Sequence, residues 1–315
     1  MSNAIDISVV VCTRNRAASL PATLASLAEQ TLDAARFEVV VVDNGSTDGT
    51  AALLARTPGV RAVAEPRVGL SAARNAGVSA AAGEVLAFID DDAVARADWL
   101  ARIAARFADV DVGALTGRVE PMWESPRPAW LPDALLPYLS VVDWGGRAGL
   151  LERGQWLCGT NMAFRRAELA RAGGFSEALG RRDGVLLSNE EVLVQRRLAA
   201  RGIAARYDPV VVVGHRVPTE RVAPDWLARR AFWQGVSNAI CDRLAADVGD
   251  PSAWLRCAGS AAATVAAPWR LAGRGTRGIE ARCKAFLRTG YVLGWTGLVT
   301  GAALPSPVPA RNVQR

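Results

Sequence analysis

Residues 85–92 read VLAFIDDD, an apolar run that ends in three consecutive aspartates. The run Val85–Ile89 predicts a buried strand, because continuous apolar strands are typical of a sheet covered on both faces. Three adjacent carboxylates at its end repel one another, so stability alone does not explain them. Mg²⁺ or Mn²⁺ would relieve this repulsion, since both prefer carboxylate and phosphate oxygens. The segment therefore predicts a metal site, and the alternative is a solvated acidic loop.

Two earlier apolar runs also end in polar clusters. Ile7–Cys12 leads into Thr13–Arg16, and Phe37–Val42 leads into Asp43–Asp48. In a parallel sheet the three polar ends lie at one edge, where the ligand crevice forms. Asp43–Asp48 alone is better explained as a turn, for which these residue types are well suited. Three such clusters in succession favour a binding edge.

Strand and helix signals alternate through the first half of the chain, which predicts an α/β fold with a mostly parallel sheet flanked by helices. The alternation breaks at Glu120–Trp156, a segment rich in proline and glycine that holds four tryptophans. Regular signals resume in three predicted elements: a strand at Thr160–Phe164, a helix at Glu190–Ala200 and a strand at Val210–Val213. We predict a catalytic domain over 1–220, with an insert at about 120–156, and a basic, apolar helical region over 221–315.

The net charge of +6 is a property of the C-terminal region. Residues 1–250 hold 28 Lys and Arg against 30 Asp and Glu, whereas residues 251–315 hold 9 against 1. A nucleic-acid partner is therefore not expected for the main body of the protein. Five scattered cysteines and the lack of a signal-peptide pattern predict a cytoplasmic location.

Two common phosphate-binding motifs are missing. The first strand–helix turn carries no G-x-G-x-x-G motif, and no G-x-x-x-x-G-K-[ST] motif occurs in the chain. If a nucleotide binds, we expect a metal ion and arginines to hold its phosphates.

An ordered set of short motifs runs over about residues 5–216. They are Val9–Arg16, Val41–Asp48, Gly69–Gly77, Phe88–Asp92, Gly159–Asn161 with Arg165 and Arg166, Gly173–Phe175, and Asn189–Glu191 with Arg197 and Leu198. In this order they resemble the family 2 inverting glycosyltransferases, which have a GT-A fold. The resemblance implies an enzyme that transfers a hexosyl or related sugar from a nucleotide-diphosphate-sugar to a hydroxyl of a glycan or lipid-linked glycan.

The resemblance also implies roles for residues on the donor side. Thr13 and Asp43 would line the base and ribose pocket, with Arg14 and Arg74 as further donor contacts. Asp92 would bind the metal directly. The two preceding carboxylates, Asp90 and Asp91, would contact the ribose or metal-coordinated water, and Asp90 is also a candidate metal ligand.

The only histidine, His215, follows the predicted strand Val210–Val213. In some relatives a histidine here completes the metal site, and imidazole is a competent ligand for Mn²⁺. A packed or capping histidine is the alternative.

An inverting transfer needs a base for the acceptor hydroxyl, and a carboxylate can serve. By the resemblance Glu191 is the expected base, with Glu190 as its rival. Both residues would also favour a helix N-terminus through the macrodipole, without any catalytic role. On the acceptor side we expect Trp156 and the segment Gly159, Thr160 and Asn161, although tryptophan is more often a core or interface residue.

Basic and apolar residues alternate in the C-terminal region. The uncharged stretch Tyr291–Leu304 is too short to span a bilayer, which needs ~20 residues. An interfacial helix with arginines toward anionic lipid would place the enzyme at the inner face of the membrane. A helical region that packs on the catalytic domain or on a second subunit is the alternative.

Two other functions are open at this point. A sugar nucleotidyltransferase would need a glycine-rich N-terminal loop, and Thr13–Ser19 contains no glycine. A non-catalytic carbohydrate-binding protein on the same fold would be expected to lack the aspartate run or the base, and both are present.

Overall fold

The computed structural model describes residues 5–245, 253–265 and 275–300. Its first half contains β1 (Ile7–Thr13), α1 (Leu20–Ala28), β2 (Phe37–Asp43), α2 (Thr50–Ala55), β3 (Val60–Ala64), α3 (Leu70–Ala80) and β4 (Val85–Asp90). The four strands are parallel in the order β3-β2-β1-β4. β1, β2 and β4 each end within one residue of the predicted end, and the predicted α/β class is confirmed.

Beyond β4 the sheet is mixed. The second half of the domain contains β5 (Ala93–Ala95), α4 (Trp99–Phe107), β6 (Ala114–Trp123), β7 (Gly149–Leu150), β8 (Asn161–Arg165), α5 (Arg166–Arg171), α6 (Glu190–Ala199) and β9 (Ala205–Val217). The full order is β3-β2-β1-β4-β8-β6-β9-β5, with β7 paired to β9. β8 runs antiparallel to β4 and β6, so the sheet is uniformly parallel only in its first four strands.

Alternate residues of the central strands enter two separate cores. Val9 and Ile89 pack with α1 and α4 on one face of the sheet, whereas Val10 and Phe88 pack with α3, α5 and α6 on the other. This is why these strands are continuously apolar. The register pairs Thr13 with Asp43, so the predicted polar ends do lie at one edge.

The predicted insert is largely irregular but well packed. It overlaps the end of β6 and contains a 3-10 helix at Asp133–Leu139. Leu135 and Leu139 of this helix pack against Leu227 and Ile279 in the C-terminal region, and Trp123 and Trp130 lie against the same cluster.

The C-terminal region forms α7 (Pro224–Ala245), α8 (Ala253–Val265) and α9 (Gly275–Trp295). Glycines let α7 and α9 approach closely, since a Cβ at Gly290 would lie 2.0 Å from the Phe232 carbonyl oxygen. Buried Asp242 of α7 accepts hydrogen bonds from Arg196 of α6 and Tyr291 of α9. The described part of this region therefore packs on the catalytic domain, while the division of the chain at residue 220 stays a prediction.

Two expectations for this region extend past what the structure describes. Part of the stretch Tyr291–Leu304 and several of the basic residues, including Arg270 and Arg274, lie outside the described residues. Within the described ranges, none of the helices combines the length and the apolar character that crossing a membrane requires.

We expect Gly290→Ala to destabilise the protein. The added methyl group forces the backbones of α7 and α9 apart, and overpacking of this kind costs about 1–3 kcal/mol. Gly259→Ala is the matched control, because no atom lies within 4 Å of its Cβ position on α8. Chemical denaturation measures both variants. Equal unfolding free energies for Gly290→Ala and the wild type would contradict the close packing.

Candidate active site

A cavity of about 1380 Å³ opens at the carboxyl ends of β1 and β4. Its wall also includes the start of α3, the segment 154–160, the segment 181–192 and residues of the C-terminal helices. Most of the predicted site residues line it: Thr13, Arg14, Arg74, Asp90, Asp91, Asp92, Trp156, Gly159, Thr160, Glu190, Glu191 and His215. The fold thus brings residues from distant parts of the chain to one cavity.

Asp90, Asp92 and His215 form a group that could hold a metal ion. One ligand atom from each lies within 4.8 Å of the others. β4 supplies Asp90, and the pairing of β5 with β9 brings His215 beside the aspartate run. The His215 Nε2 atom lies 3.3 Å from Asp92 Oδ1, while Nδ1 is buried and has no hydrogen-bond partner within the described ranges. Two carboxylates and an imidazole are a donor set that suits Mn²⁺.

The pKa values of Asp91 and Asp92 are shifted in opposite directions. Burial, with the Asp92 charge added, raises the pKa of Asp91 to about 7. Burial would also raise the pKa of Asp92, but contact with His215 and the charges of Arg221 and Arg16 hold it below its usual value. Asp92 is therefore ionised at neutral pH, as a metal ligand must be.

Arg74 and Glu190 form a buried ion pair. Arg74 lies on α3 and is 3% exposed, and its guanidinium donates a hydrogen bond to Glu190 Oε1 at the start of α6. It also donates to the Gly159 carbonyl oxygen at 3.2 Å and lies 3.7 Å from Asp90. The Oε1 atom of Glu190 is thus bound to Arg74, and Arg74 connects residues on the two sides of the cavity.

Glu191 is buried, and no side chain among the described residues donates a hydrogen bond to it. Among the same residues its buried Oε2 atom has no hydrogen-bond partner. Burial, followed by the charge of Glu190, raises the pKa of Glu191 to about 8. A carboxylate that faces a cavity with a pKa near neutrality has the properties of a general base.

Thr13 and Arg14, the two predicted donor-binding residues at the end of the first strand, differ in burial and in contacts. Thr13 is buried at the end of β1. Arg14 donates to the Asn44 carbonyl oxygen at 3.1 Å and to Asp183 at 3.0 Å, so it joins the first and second halves of the chain across the cavity.

Two predicted site residues do not line the cavity. Asp43 accepts a hydrogen bond from the Ser46 backbone N–H, so its carboxylate closes a turn. Asn161 is 1% exposed; its amide oxygen accepts from Trp99, and its amide nitrogen donates to the carbonyl oxygens of Arg118 and Val211. These bonds hold β6, β8 and β9 together, which gives Asn161 a structural role, and its contact with an acceptor stays a prediction.

The predicted acceptor side is otherwise present at the cavity wall. Trp156 packs edge-to-face against Trp144 with ring centroids 4.6 Å apart. Thr160 donates to Asp90 Oδ2 at 2.6 Å, which connects the acceptor segment with the aspartate run.

Several arginines of the cavity received no role from the sequence. Arg16 lies 3.8 Å from Asp91, and Arg221 lies 3.4 Å from Asp92. Arg181 and Arg230 also line the cavity. Arg16 stands within a quoted motif, but the other three belong to no motif, so only their position in the fold reveals them.

The family model described as glycosyl transferase family 2 matches residues 8–171, about half of the chain. The chain belongs to this family. The matched part of this glycosyltransferase includes the three strand ends, the aspartate run and the acceptor segment, and it ends before Glu190.

Curated relatives of this glycosyltransferase are sugar transferases. It is 29% identical over 252 residues to glucosyl-dolichyl phosphate glucuronosyltransferase of Haloferax volcanii, with 78% of this chain and 80% of that protein covered. It is 28% identical to the succinoglycan biosynthesis protein ExoM of Rhizobium meliloti, with 74% of each covered. The pre-mycofactocin glycosyltransferase of Mycobacterium tuberculosis is also 28% identical, but the chain spans 48% of its length. Family and relatives together support a sugar-transfer enzyme.

Solved structures confirm the GT-A fold. The mannosyltransferase PcManGT from Pyrobaculum calidifontis, in complex with GDP-Man and Mn²⁺, superposes with a TM-score of 0.59 at 24% identity, covering 91% of this chain and 86% of that one. TarS of Staphylococcus aureus superposes with a TM-score of 0.53 over 78% of this chain.

We expect Glu191→Gln to change how stability depends on pH. The folded-state pKa of Glu191, raised by burial to about 8, lies above its ordinary value of 4.5. Between these values the native state binds the proton more tightly than the unfolded state does, so the free energy of unfolding falls as pH rises. Glu191→Gln removes this contribution.

Denaturation curves of the wild type and Glu191→Gln across this pH range measure the effect. The difference in unfolding free energy should grow in favour of the variant toward pH 8. A difference that stays constant with pH would contradict the burial of an ionisable Glu191.

Proposed function

We propose that this enzyme transfers a sugar from a nucleotide-diphosphate-sugar to an acceptor hydroxyl with inversion and with the help of a divalent metal. The observation that carries the proposal is that the unpaired carboxylate of Glu191 and the group Asp90, Asp92 and His215 line one cavity. A base and an anion-neutralising group are the two functions that an inverting displacement requires.

The donor lies over the ends of β1 and β4 in this proposal. Thr13 and Arg14 contact the nucleoside, and Asp90 and Asp91 face the ribose and the metal-bound water. Asp43 supports this wall through its turn rather than by contact. The solved mannosyltransferase, whose structure is in complex with GDP-Man and Mn²⁺, supports a nucleotide-sugar donor.

Asp92 with Asp90 and His215 would hold Mn²⁺ or Mg²⁺, and the ion would neutralise charge on the diphosphate as it leaves. Arg16 and Arg221, which contact the carboxylates of Asp91 and Asp92, are placed to bind the same phosphate oxygens. Their positive charges add to the stabilisation of the leaving group.

Glu191 removes the proton from the acceptor hydroxyl as its oxygen forms a bond to the anomeric carbon. The bond from that carbon to the diphosphate oxygen breaks, and the diphosphate leaves with the electron pair. Attack from the face opposite the diphosphate inverts the configuration. Arg74 holds Oε1 of Glu190 and thereby fixes the start of α6. Among the described residues the Oε2 atoms of both glutamates lack a hydrogen-bond partner, but only Glu190 is in an ion pair, which favours Glu191 as the base.

The acceptor is a glycan or a lipid-linked glycan in this proposal. Trp156 provides an aromatic face, and Gly159 and Thr160 complete the wall between acceptor and donor. The names of the relatives support both classes, since one acts on a dolichyl phosphate sugar and another takes part in succinoglycan biosynthesis.

Contact with a membrane surface remains part of the proposal. Arg277 and Lys284 of α9 are exposed and available to anionic lipid. Arg282 is bound to Asp225, and the apolar face of α9 packs on α7, so α9 does not lie free as an amphipathic helix. A cytoplasmic enzyme at the inner face of the membrane is consistent with this arrangement.

We expect Glu191→Gln to lower kcat by about 10²–10⁴-fold, because the acceptor proton loses its base. Affinity for the donor nucleotide should stay near the wild-type value, since Glu191 makes no contact with the strand ends. In the wild type, kcat/KM should rise with pH toward about 8, the pKa to which burial raises Glu191. Steady-state kinetics and nucleotide titration measure these quantities.

Glu29→Gln, an exposed site at the end of α1, is the control. Glu190→Gln separates the rivals, because loss of the Arg74 partner should weaken donor binding and stability as well as rate. A Glu190→Gln variant that loses only kcat, beside an active Glu191→Gln, would make Glu190 the base.

We expect Asp92→Asn and His215→Ala each to weaken binding of Mn²⁺ at least about tenfold, the scale seen even for residues one step removed from a metal. Titration calorimetry with Mn²⁺ alone measures the affinity. Asp111→Asn, an exposed aspartate outside the cavity, is the control. Wild-type affinity in both variants would place the metal elsewhere or remove it from the mechanism.

A further inference from the structure

Arg230 is a buried cation that forms no ion pair with any residue in the described part of the chain. It lies on α7, lines the cavity and is 7% exposed. Its Nη2 atom donates to the Ser188 hydroxyl at 3.3 Å, whereas Nε and Nη1 are buried and have no hydrogen-bond partner among the residues that the structure describes. Leaving two charged donors unsatisfied in a buried position is costly, so a ligand that accepts from them would be strongly favoured.

A second arginine adds to this charge. Arg181 lines the same cavity, close enough to Arg230 that its charge, after burial, lowers the Arg230 pKa to about 10. No ion pair or side-chain hydrogen bond joins Arg181 to the residues that the structure describes. Two neighbouring guanidinium groups repel one another unless an anion lies between them.

Asp90, Asp92 and Glu190 act electrostatically on Arg181, but among the described residues no carboxylate forms an ion pair within 4.0 Å with Arg181 or Arg230. Arg74 already occupies Glu190, and Arg16 and Arg221 contact the aspartate run. Glu191 interacts with Arg230 electrostatically, but the two form no ion pair within 4.0 Å. The anion that fits Arg230 must therefore come from a ligand, near the proposed base.

The surroundings of the pair are partly apolar. Tyr138 lies close to Arg230, and Pro137, Leu186 and Leu287 line the cavity as well. These side chains come from the insert, the segment before α6, and α9, rather than from the strand ends that the donor occupies. An acceptor that carries an anionic group beside an apolar part matches this wall.

We propose that Arg230, with Arg181 on the same cavity wall, forms an anion site next to that of the donor diphosphate, which binds a phosphate or carboxylate group of the acceptor. The inference deepens the proposed function and rests on it. Binding the acceptor through a charged group next to Glu191 would position its hydroxyl at the base. Planar guanidinium groups suit either oxyanion through paired hydrogen bonds.

The test uses the full chain with Mn²⁺ and a saturating nucleoside diphosphate, so that the donor site is filled. Three probes are titrated by calorimetry: inorganic phosphate, decyl phosphate and methyl glucuronide. The wild type should bind at least one of them. Arg230→Gln should bind that probe at least about tenfold more weakly, the scale expected for lost charge-assisted hydrogen bonds, and keep its nucleotide affinity.

Preference for decyl phosphate identifies a phosphate acceptor, and preference for methyl glucuronide identifies a carboxylate acceptor. Arg243→Gln, an exposed arginine of the same helix, is the control and should bind like the wild type. If Arg230→Gln does not fold, the probe affinities of Arg181→Gln and Arg230→Lys are compared with that of the wild type instead. Arg230→Lys should keep part of the probe affinity, because lysine keeps the positive charge.

No probe binding by the wild type with nucleotide bound, or equal binding by the wild type and the arginine variants, overturns the inference. Because nucleotide and Mn²⁺ binding are measured first, failure of the donor site is seen separately from failure of the second anion site.

Discussion

The buried charge of Arg74 is the constraint on which the site depends. At 3% exposure this guanidinium needs anionic partners, since an unpaired buried charge is strongly destabilising. It finds them in Glu190 of α6 and Asp90 of β4, and it also donates to the Gly159 carbonyl oxygen. One side chain of α3 therefore connects the start of α6, where the proposed base Glu191 follows Glu190, with the aspartate run and the predicted acceptor segment, which lie far apart in the sequence.

The adjacent residues Glu190 and Glu191 have different electrostatic environments in this arrangement. Glu190 neutralises Arg74, and in doing so it orients the first turn of α6. Glu191 is left in a buried position beside that charged pair, without a hydrogen bond from the described residues, and its pKa rises because of burial. The ion pair of Glu190 thus sets the electrostatic environment of Glu191, the proposed base.

The C-terminal helices belong to the site as well as to the fold. Asp242 joins α6, α7 and α9 through Arg196 and Tyr291, and α7 carries Arg230 to the cavity wall. A region that by charge alone pointed to a membrane surface is thus, in its described part, a wall of the cavity. Its excess of arginine is used partly in ion pairs, such as that of Arg282 with Asp225.

The sequence by itself determined the parallel half of the sheet, the family and most of the residues at the strand ends. Continuous apolar runs and the polar clusters after them are local patterns, so Thr13 and Asp92 could be assigned without coordinates. Only the tertiary structure decided which distant residues meet. The Asn161 amide forms hydrogen bonds within the sheet, and Arg74 forms an ion pair with Glu190. Arg230 is buried and forms no ion pair with the residues that the structure describes. Hydrogen-bond partners and burial arise from segments tens of residues apart, and no local pattern records which of them meet.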